Sequence, residues 1–297
     1  MASTPSLLPA LLGIAQEETQ LINLALAIAS EGQIQYRGET FRFQLPDLPR
    51  RTSTFLAMAA GQSLGSILRL SSVKGIGARD MYAIARSAIE TFVNATYLLC
   101  EAEKVSERAL AHIPFAEWKH HNRVIGSGSV AFEIYTDGTG PEQAARLFPD
   151  FAAPGKSKNW SALDVPSRIA RVAALAGKAP ASRLNAAYGL TYALSSEIIH
   201  GSLYGVCHFY GVLRPGPVDL SNFMDRTERQ IEELLIAVLH AAAGYLCAFF
   251  NLQSMTALAQ AEEELFGRLI KVATSDETPG QVRKVHARSV GNRQNLK

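Results

Sequence analysis

The 297-residue sequence predicts an all-α protein, a bundle of about eight helices with a small extended excursion near residues 33–45 and a long irregular segment at 126–163. Three observations carry that prediction. Apolar residues recur at three- and four-residue spacing through most of the chain, which is the mark of amphipathic helices. Alternation with period two is confined to one short stretch. The composition, 47% hydrophobic and 19% charged, belongs to an ordinary globular protein. A monomer of 32.2 kDa buries roughly three quarters of its unfolded surface, so neither metal nor disulfide is needed for a core.

The elements follow in order. Residues 6–29 repeat apolar side chains at helical spacing and stop before Gly32. "QIQYRGETFRFQLPD" alternates on both sides of "RGE", which reads as a hairpin closed by Pro46 and Pro49. A helix over 51–72 has a centre of small residues, "AAGQSLGS", and "KGIGARD" breaks it. The segment 79–103 is the clearest amphipathic helix, and "KVSERALAHIPFAEWKHHNRVI" continues as helix with a bend at Pro114. Regularity fails from 126 to 163 apart from a short helix near "PEQAARLF", and a loop of that length in a compact domain serves function or motion. Helices resume at "DVPSRIARVAALAG", at 181–210, from Ser221 to 252 after the connector "LRPGPVDLS", and at 254–272. Residues 1–272 thus form a single helical domain, and the basic segment 273–297 reads as a disordered tail.

Net charge is +2, so the global field favours no polyanionic partner. Cys100, Cys207 and Cys247 are odd in number and far apart, which points to reduced, buried thiols. The N-terminus lacks the basic region of a signal peptide. The longest apolar run, 234–250, is short for a membrane span and contains His240, so a core helix is expected and, with it, a cytoplasmic protein without a membrane partner. The same run, from 231, is an alternative seam for a homodimer.

Two polar anomalies interrupt apolar helices. In "YGLTYALSSEIIHG", Tyr188, Tyr192, Ser196 and His200 are four apart and share one helical stripe. In "AIARSAIETF", Arg86 and Glu90 stand at the i, i+4 spacing of a helical ion pair. If both stripes face inward, their groups must find partners, and Arg86, Glu90, Tyr192 and His200 are expected to converge within hydrogen-bonding distance, directly or through one water. On that expectation a buried Glu90 costs on the order of 3 kcal/mol when truncated to Ala. Glu262, in "AEEELF", reads as exposed and costs well under about 1 kcal/mol.

"ARDMYAIARSAIETFVNATYLL", followed about a hundred residues later by "YGLTYALSSEIIHG", resembles the bacterial domain-of-unknown-function family 5677. The resemblance covers roughly residues 55–215. It implies a helical fold with an Arg-x-x-x-Glu helix (Arg86, Glu90), a Trp segment (Trp160 in "KSKNWS") and a Tyr-x-x-x-Ser-x-x-x-His helix (Tyr192, Ser196, His200). It brings no established activity.

Several chemistries compete for these residues. A polar inter-helix cluster would place Arg86, Glu90, Ser196 and His200 as the reactive groups. Tyr188, Tyr192, Trp160, Lys156 and Lys158 would line a mouth for a small anionic or aromatic ligand, or for RNA. A metal-independent ribonuclease of the HEPN type would need Arg, four to six residues, then His, and neither "RALAH" (Arg108, His112) nor "RKVH" fits. A di-iron carboxylate bundle would use Glu117/His120 and Glu197/His200 with Glu90 and Glu232 or Glu233. Chance supplies Glu-x-x-His often enough to keep that reading weak, and no metal or cofactor is called for. Ser195 or Ser196 with His200 lacks a strand-turn-helix elbow to expose a nucleophile. "GSGS" at 126–129 lacks the continuation of a phosphate loop. The adjacent His120 and His121 point about 100° apart on a helix and read as a solvated helix end.

Overall fold

The computed structural model describes residues 6–73, 78–135, 140–212 and 223–275. Among these the helices are α1 (Leu8–Glu31), α2 (Asp47–Ser71), α3 (Ala78–Cys100), α4 (Glu103–His121), α5 (Pro141–Leu147), α6 (Val165–Ala176), α7 (Lys178–Ile199), α8 (Leu203–Tyr210), α9 (Phe223–Leu252) and α10 (Thr256–Thr274). The connector 213–222 with Ser221, and the basic tail from residue 276, lie outside the described residues.

The all-α expectation stands, with one addition and one division. Strands β1 (Gln33–Tyr36) and β2 (Glu39–Arg42) form the expected hairpin around Arg37-Gly38. A second hairpin, β3 (Asn122–Ile125) with β4 (Phe132–Tyr135), occupies a stretch read as the end of a helix and the start of a loop. β-branched Val124 and Ile125 opposite Glu133 and Phe132 favour extended pairing over one more helical turn. The helix expected over 181–210 is two helices, α7 and α8, for a reason given below. Pro49 does not close the hairpin; it lies in the first turn of α2, where its missing N–H costs nothing. α4 runs through Pro114 without a break. α10 continues to Thr274, two residues past the expected boundary of the domain.

α9 is the axis of the fold. From Ile231 to Phe250 it is buried almost all round, and α1, α3, α7 and α10 pack against it. Helices hydrophobic on every side belong in a core or a membrane. Here the helix long and apolar enough to cross a membrane is 89% buried over its most apolar window, by its own chain. The surface that a homodimer seam would use is therefore occupied within the monomer. Leu235, Leu239, Tyr245, Leu246, Phe249 and Phe250 are fully buried, and each such side chain contributes about 2 kcal/mol by transfer from water. Alanines and Gly244 let neighbours approach: a Cβ at Gly244 would come within 2.8 Å of the Leu184 side chain on α7 and 3.1 Å of the Pro180 carbonyl.

α1 has no capping side chain of its own at Leu7. Glu232, from α9, supplies one: its carboxylate accepts from the Leu7 N–H (2.7 Å), the Leu8 N–H (3.1 Å) and the Ser6 hydroxyl (3.0 Å). A negative charge among the orphan N–H groups of a helix start is favourable.

α2 lies along α3, with Ala57 and Ala60 on one and Ala85 and Ala88 on the other buried completely. α4 buries little of itself, Ser106 and Phe115, and touches α2 through a 3.0 Å hydrogen bond between Ser106 and Thr52. Phe115 stacks on Phe151 at 5.4 Å, and Phe148, Trp118 and His112 close this satellite aromatic cluster. The exposed His120 and His121 end α4, as their spacing suggests.

Candidate functional site

The polar stripe of α3 is longer than an Arg–Glu pair. Arg86, Glu90, Asn94 and Tyr97 follow at helical spacing, with Glu101 just beyond, and each meets a group from α6, α7 or the loop before α6. Arg86 donates from Nε to Glu90 Oε1 at 3.0 Å, and its guanidinium lies 4.3 Å from the centroid of the Tyr192 ring on α7. Tyr192 in turn stacks on Tyr188 one turn earlier, centroids 4.3 Å apart and planes 26° from parallel. The ion pair is half-buried, with side chains 21% and 33% exposed. Partial burial, the Tyr192 hydroxyl and Glu90 raise the Tyr188 phenol to about 12, so it stays a hydrogen-bond donor at neutral pH.

One turn along α3, Arg168 of α6 completes the seam. Its Nη1 donates to Asn94 Oδ1, its Nε donates to the Leu163 carbonyl at 3.0 Å, and its guanidinium sits 5.0 Å from the Trp160 ring. Burial lowers its pKa, and the nearby Glu90, Tyr97 and Asp164 oppose that effect. Asp164 caps α6 by accepting from the Ser167 N–H at 2.9 Å, which fixes the turn that aims Arg168. Trp160 packs against Tyr97 at 6.1 Å, and Arg171 clamps Glu101 bidentately at 2.7 and 3.1 Å.

The loop that delivers Trp160 is held by its backbone. Arg108 Nη2 reaches the carbonyls of Ser157 (3.4 Å) and Asn159 (3.3 Å), and His112 Nε2 donates to the Lys158 carbonyl at 3.1 Å. Arg108 and His112 are one helical turn apart on α4, so the "RALAH" spacing has a positioning role. Lys156 and Lys158 themselves are exposed on this loop.

His200 is the group that stands apart. α7 ends at Ile199; His200 is its C-cap and is exposed. Gly201 takes the left-handed conformation (φ 64°) as the next residue. Its N–H bonds to the Ile198 carbonyl at 3.2 Å, and the Ser202 N–H bonds to the Glu197 carbonyl at 3.1 Å. This is the Schellman arrangement that glycine favours after a helix, and Ser202 then caps α8 through Gly205 N–H. The stripe therefore stops at Ser196. His200 lies two turns, about 12 Å, beyond Tyr192 along the helix axis. Of the convergence expected of Arg86, Glu90, Tyr192 and His200 within hydrogen-bonding distance, Arg86 and Glu90 do bond, Tyr192 meets Arg86 through its ring and not its hydroxyl, and His200 is corrected to a place outside the cluster. "HG" was the available signal: a Gly immediately after the last periodic residue ends a helix. Ser196 is half-buried, with its carbonyl accepting from the His200 N–H. Ser195 is buried and donates to the Tyr192 carbonyl at 3.0 Å, engaged by backbone as helical serines often are.

The di-iron constellation does not assemble. Glu232 is engaged at the start of α1, and among the described residues no three His, Cys, Asp or Glu side chains converge on a point that could hold a metal. Cys100, Cys207 and Cys247 lie in different helices as free thiols; burial raises Cys100 to about 12 and Cys247 in the same direction, so both are poor nucleophiles.

The sequence expectations missed a second charged cluster. Arg183 (α7) is 4% exposed; its Nη1 donates to Glu262 and to the Ala243 carbonyl (3.3 Å), its Nη2 donates to Glu263, and Phe266 lies under the guanidinium at 3.9 Å. Glu262, expected on the surface, is 2% exposed. In "AEEELF" an acidic triplet mimics a solvated face, while helical rotation turns its first member inward.

Residues 53–212, which run from α2 through α8 and contain the whole α3 seam, match the model of a Family of unknown function (DUF5677). The chain belongs to this family. No curated protein and no solved structure matches it. The family region leaves out α1, the first hairpin, α9 and α10, so Arg183 is a residue of that region whose acidic partners come from outside it.

Proposed function

We propose that residues 53–212 form a binding module for a small anionic ligand carrying a planar group, read by Arg86, Tyr188 and Tyr192 at the α3–α7 seam. One observation carries this reading. Arg86 uses only Nε on Glu90, and among the described residues Nη1 and Nη2 have no protein acceptor, while the Tyr192 ring lies 4.3 Å beneath the guanidinium. A guanidinium fixed in this way offers a fork for a carboxylate or phosphate. Tyr188 offers an adjacent ring face and a phenol that remains protonated. Glu90 orients the fork and offsets its charge, which favours a carboxylate or a single phosphate over a polyanion. Trp160, with Lys156 and Lys158 on its loop, lies toward the Arg168 end of the seam, where a longer ligand would extend.

A ribonuclease reading needs His200 and Arg86 to act on one phosphate. About 12 Å of α7 separates the turn of Tyr192, which meets Arg86, from His200, so the binding reading is the better supported. The test is melting of the full chain with uridine monophosphate, with pyrophosphate and with total RNA, for wild type, Arg86→Met and His200→Ala. Nucleotide should raise Tm in wild type and in His200→Ala and leave Arg86→Met unmoved. An equal shift in Arg86→Met overturns the module; RNA cut by wild type and spared by His200→Ala replaces it with the nuclease.

A further inference from the structure

Glu18 on α1 is 2% exposed, and one of its carboxylate oxygens has no hydrogen-bond partner. Glu262 of α10 and Arg183 of α7 act on it, and Arg183 in turn has Glu263 of α10 and His240 and Cys247 of α9 about it. Arg183 is already engaged by Glu262, Glu263 and the Ala243 carbonyl. His240 cannot serve as a second cation: its Nδ1 bonds to the Ile236 carbonyl at 2.8 Å, its ring meets Phe266 edge-on at 5.3 Å, and burial keeps the imidazole below its ordinary value. The Cys247 thiol is held neutral by burial. Glu18 is thus a carboxyl group in an apolar interior with a like-charged neighbour and no cation of its own, which favours the protonated acid.

We propose that Glu18, as the neutral acid beside the Arg183–Glu262 ion pair, forms with them a pH-sensitive latch fastening α1 and α10 to α7 and α9. While Glu18 is neutral, Glu262 pairs with Arg183 and the two outer helices lie flat on the core. When Glu18 ionises, two buried carboxylates face one guanidinium, and the repulsion is relieved by α10 lifting away from α1. Glu18 shifts in the direction this requires: burial, then the charge of Glu262, takes it well above the ordinary carboxylate range, while Glu262, which burial takes up to about 7, is drawn toward its charged form by Arg183.

The sign follows from proton linkage. An acid with a raised folded-state pKa binds its proton more tightly folded than unfolded, so stability falls as pH rises from the unfolded value, 4.5, through the folded one. Melting curves of the full chain between about pH 5 and pH 9 test this for wild type and Glu18→Gln. Wild type should lose Tm steadily as pH rises. Glu18→Gln should match it near pH 5, fall less, and melt higher at the alkaline end. Amide exchange in α10, corrected for the intrinsic pH effect, should rise with pH in wild type and not in the variant. Glu18→Met repeats the test with an apolar side chain of similar length. Parallel Tm–pH lines for wild type and either variant overturn the latch. So does the loss of a folded state in both variants at neutral pH, because a neutral Glu18 is replaceable by a neutral side chain.

Discussion

Two arginine–glutamate pairs in this protein look alike on paper and differ in every physical respect. Arg86 and Glu90 are one turn apart on α3 and partly exposed, with the Tyr192 ring against the guanidinium. Arg183 and Glu262 are 79 residues apart, join α7 to α10, and have side chains 4% and 3% exposed. A local pair is legible as spacing but sits where water screens it. The distant pair has no local signature, yet water is excluded there, so losing Arg183 leaves Glu262 uncompensated and losing Glu262 leaves Arg183 only the exposed Glu263. Visibility in the sequence and energetic weight in the fold run in opposite directions here.

That contrast can be broken by substitution. The largest effect is expected from Arg183→Ala, which strands Glu262 among Phe266, Glu18 and apolar neighbours; it should cost about 4 kcal/mol by denaturant titration, and Glu262→Ala about 3 kcal/mol. A loss under about 1 kcal/mol for both would mean that water reaches the α7–α10 seam. This reverses the order expected from sequence, in which Glu90 was the costly residue and Glu262 the harmless one.

Glu232→Ala comes next. It removes the acceptor for the Leu7 and Leu8 N–H groups, and about 1–2 kcal/mol should be lost together with protection of the first turn of α1 in amide exchange. Intact protection would show that Ser6 or water caps α1 instead.

Smaller still, Glu90→Ala should cost under about 1 kcal/mol, since a half-exposed i, i+4 pair is screened and Arg86 keeps Tyr192 beneath it. A loss near that of Glu262→Ala would erase the distinction between the pairs. At the bottom of the scale, His200→Ala should stay within about 0.5 kcal/mol of wild type, because an exposed C-cap side chain ahead of Gly201 has no buried partner to strand. A larger destabilisation would place the imidazole in the core after all.

Most of the fold was legible from local pattern. Helical periodicity located α1, α3, α6, α9 and α10 to within a few residues, and the alternation around "RGE" located the first hairpin, because these signals depend on neighbours in sequence. Where local rules compete, legibility fails. Val124 and Ile125 follow a helix without interruption, and only their pairing with Glu133 and Phe132 selects strand over helix. Gly201 was readable as a helix stop, yet the four-residue spacing of Tyr192, Ser196 and His200 argued for continuity through it.

For the candidate site, the sequence by itself determined the stripe: Arg86 and Glu90 on one helix, Tyr188 and Tyr192 on another, and a Trp160 segment between them. The tertiary structure alone decided which groups meet. It brought Tyr192 to Arg86, Arg168 to Asn94 and Trp160 through a loop clamped by Arg108 and His112, and it left His200 outside. It also placed Glu18, Arg183 and Glu262, scattered over most of the chain, in one dry cluster. Periodicity reports which face of a helix a residue occupies, but the partner of that face is set by how the helices pack around α9, a property of the whole chain that no window of sequence contains.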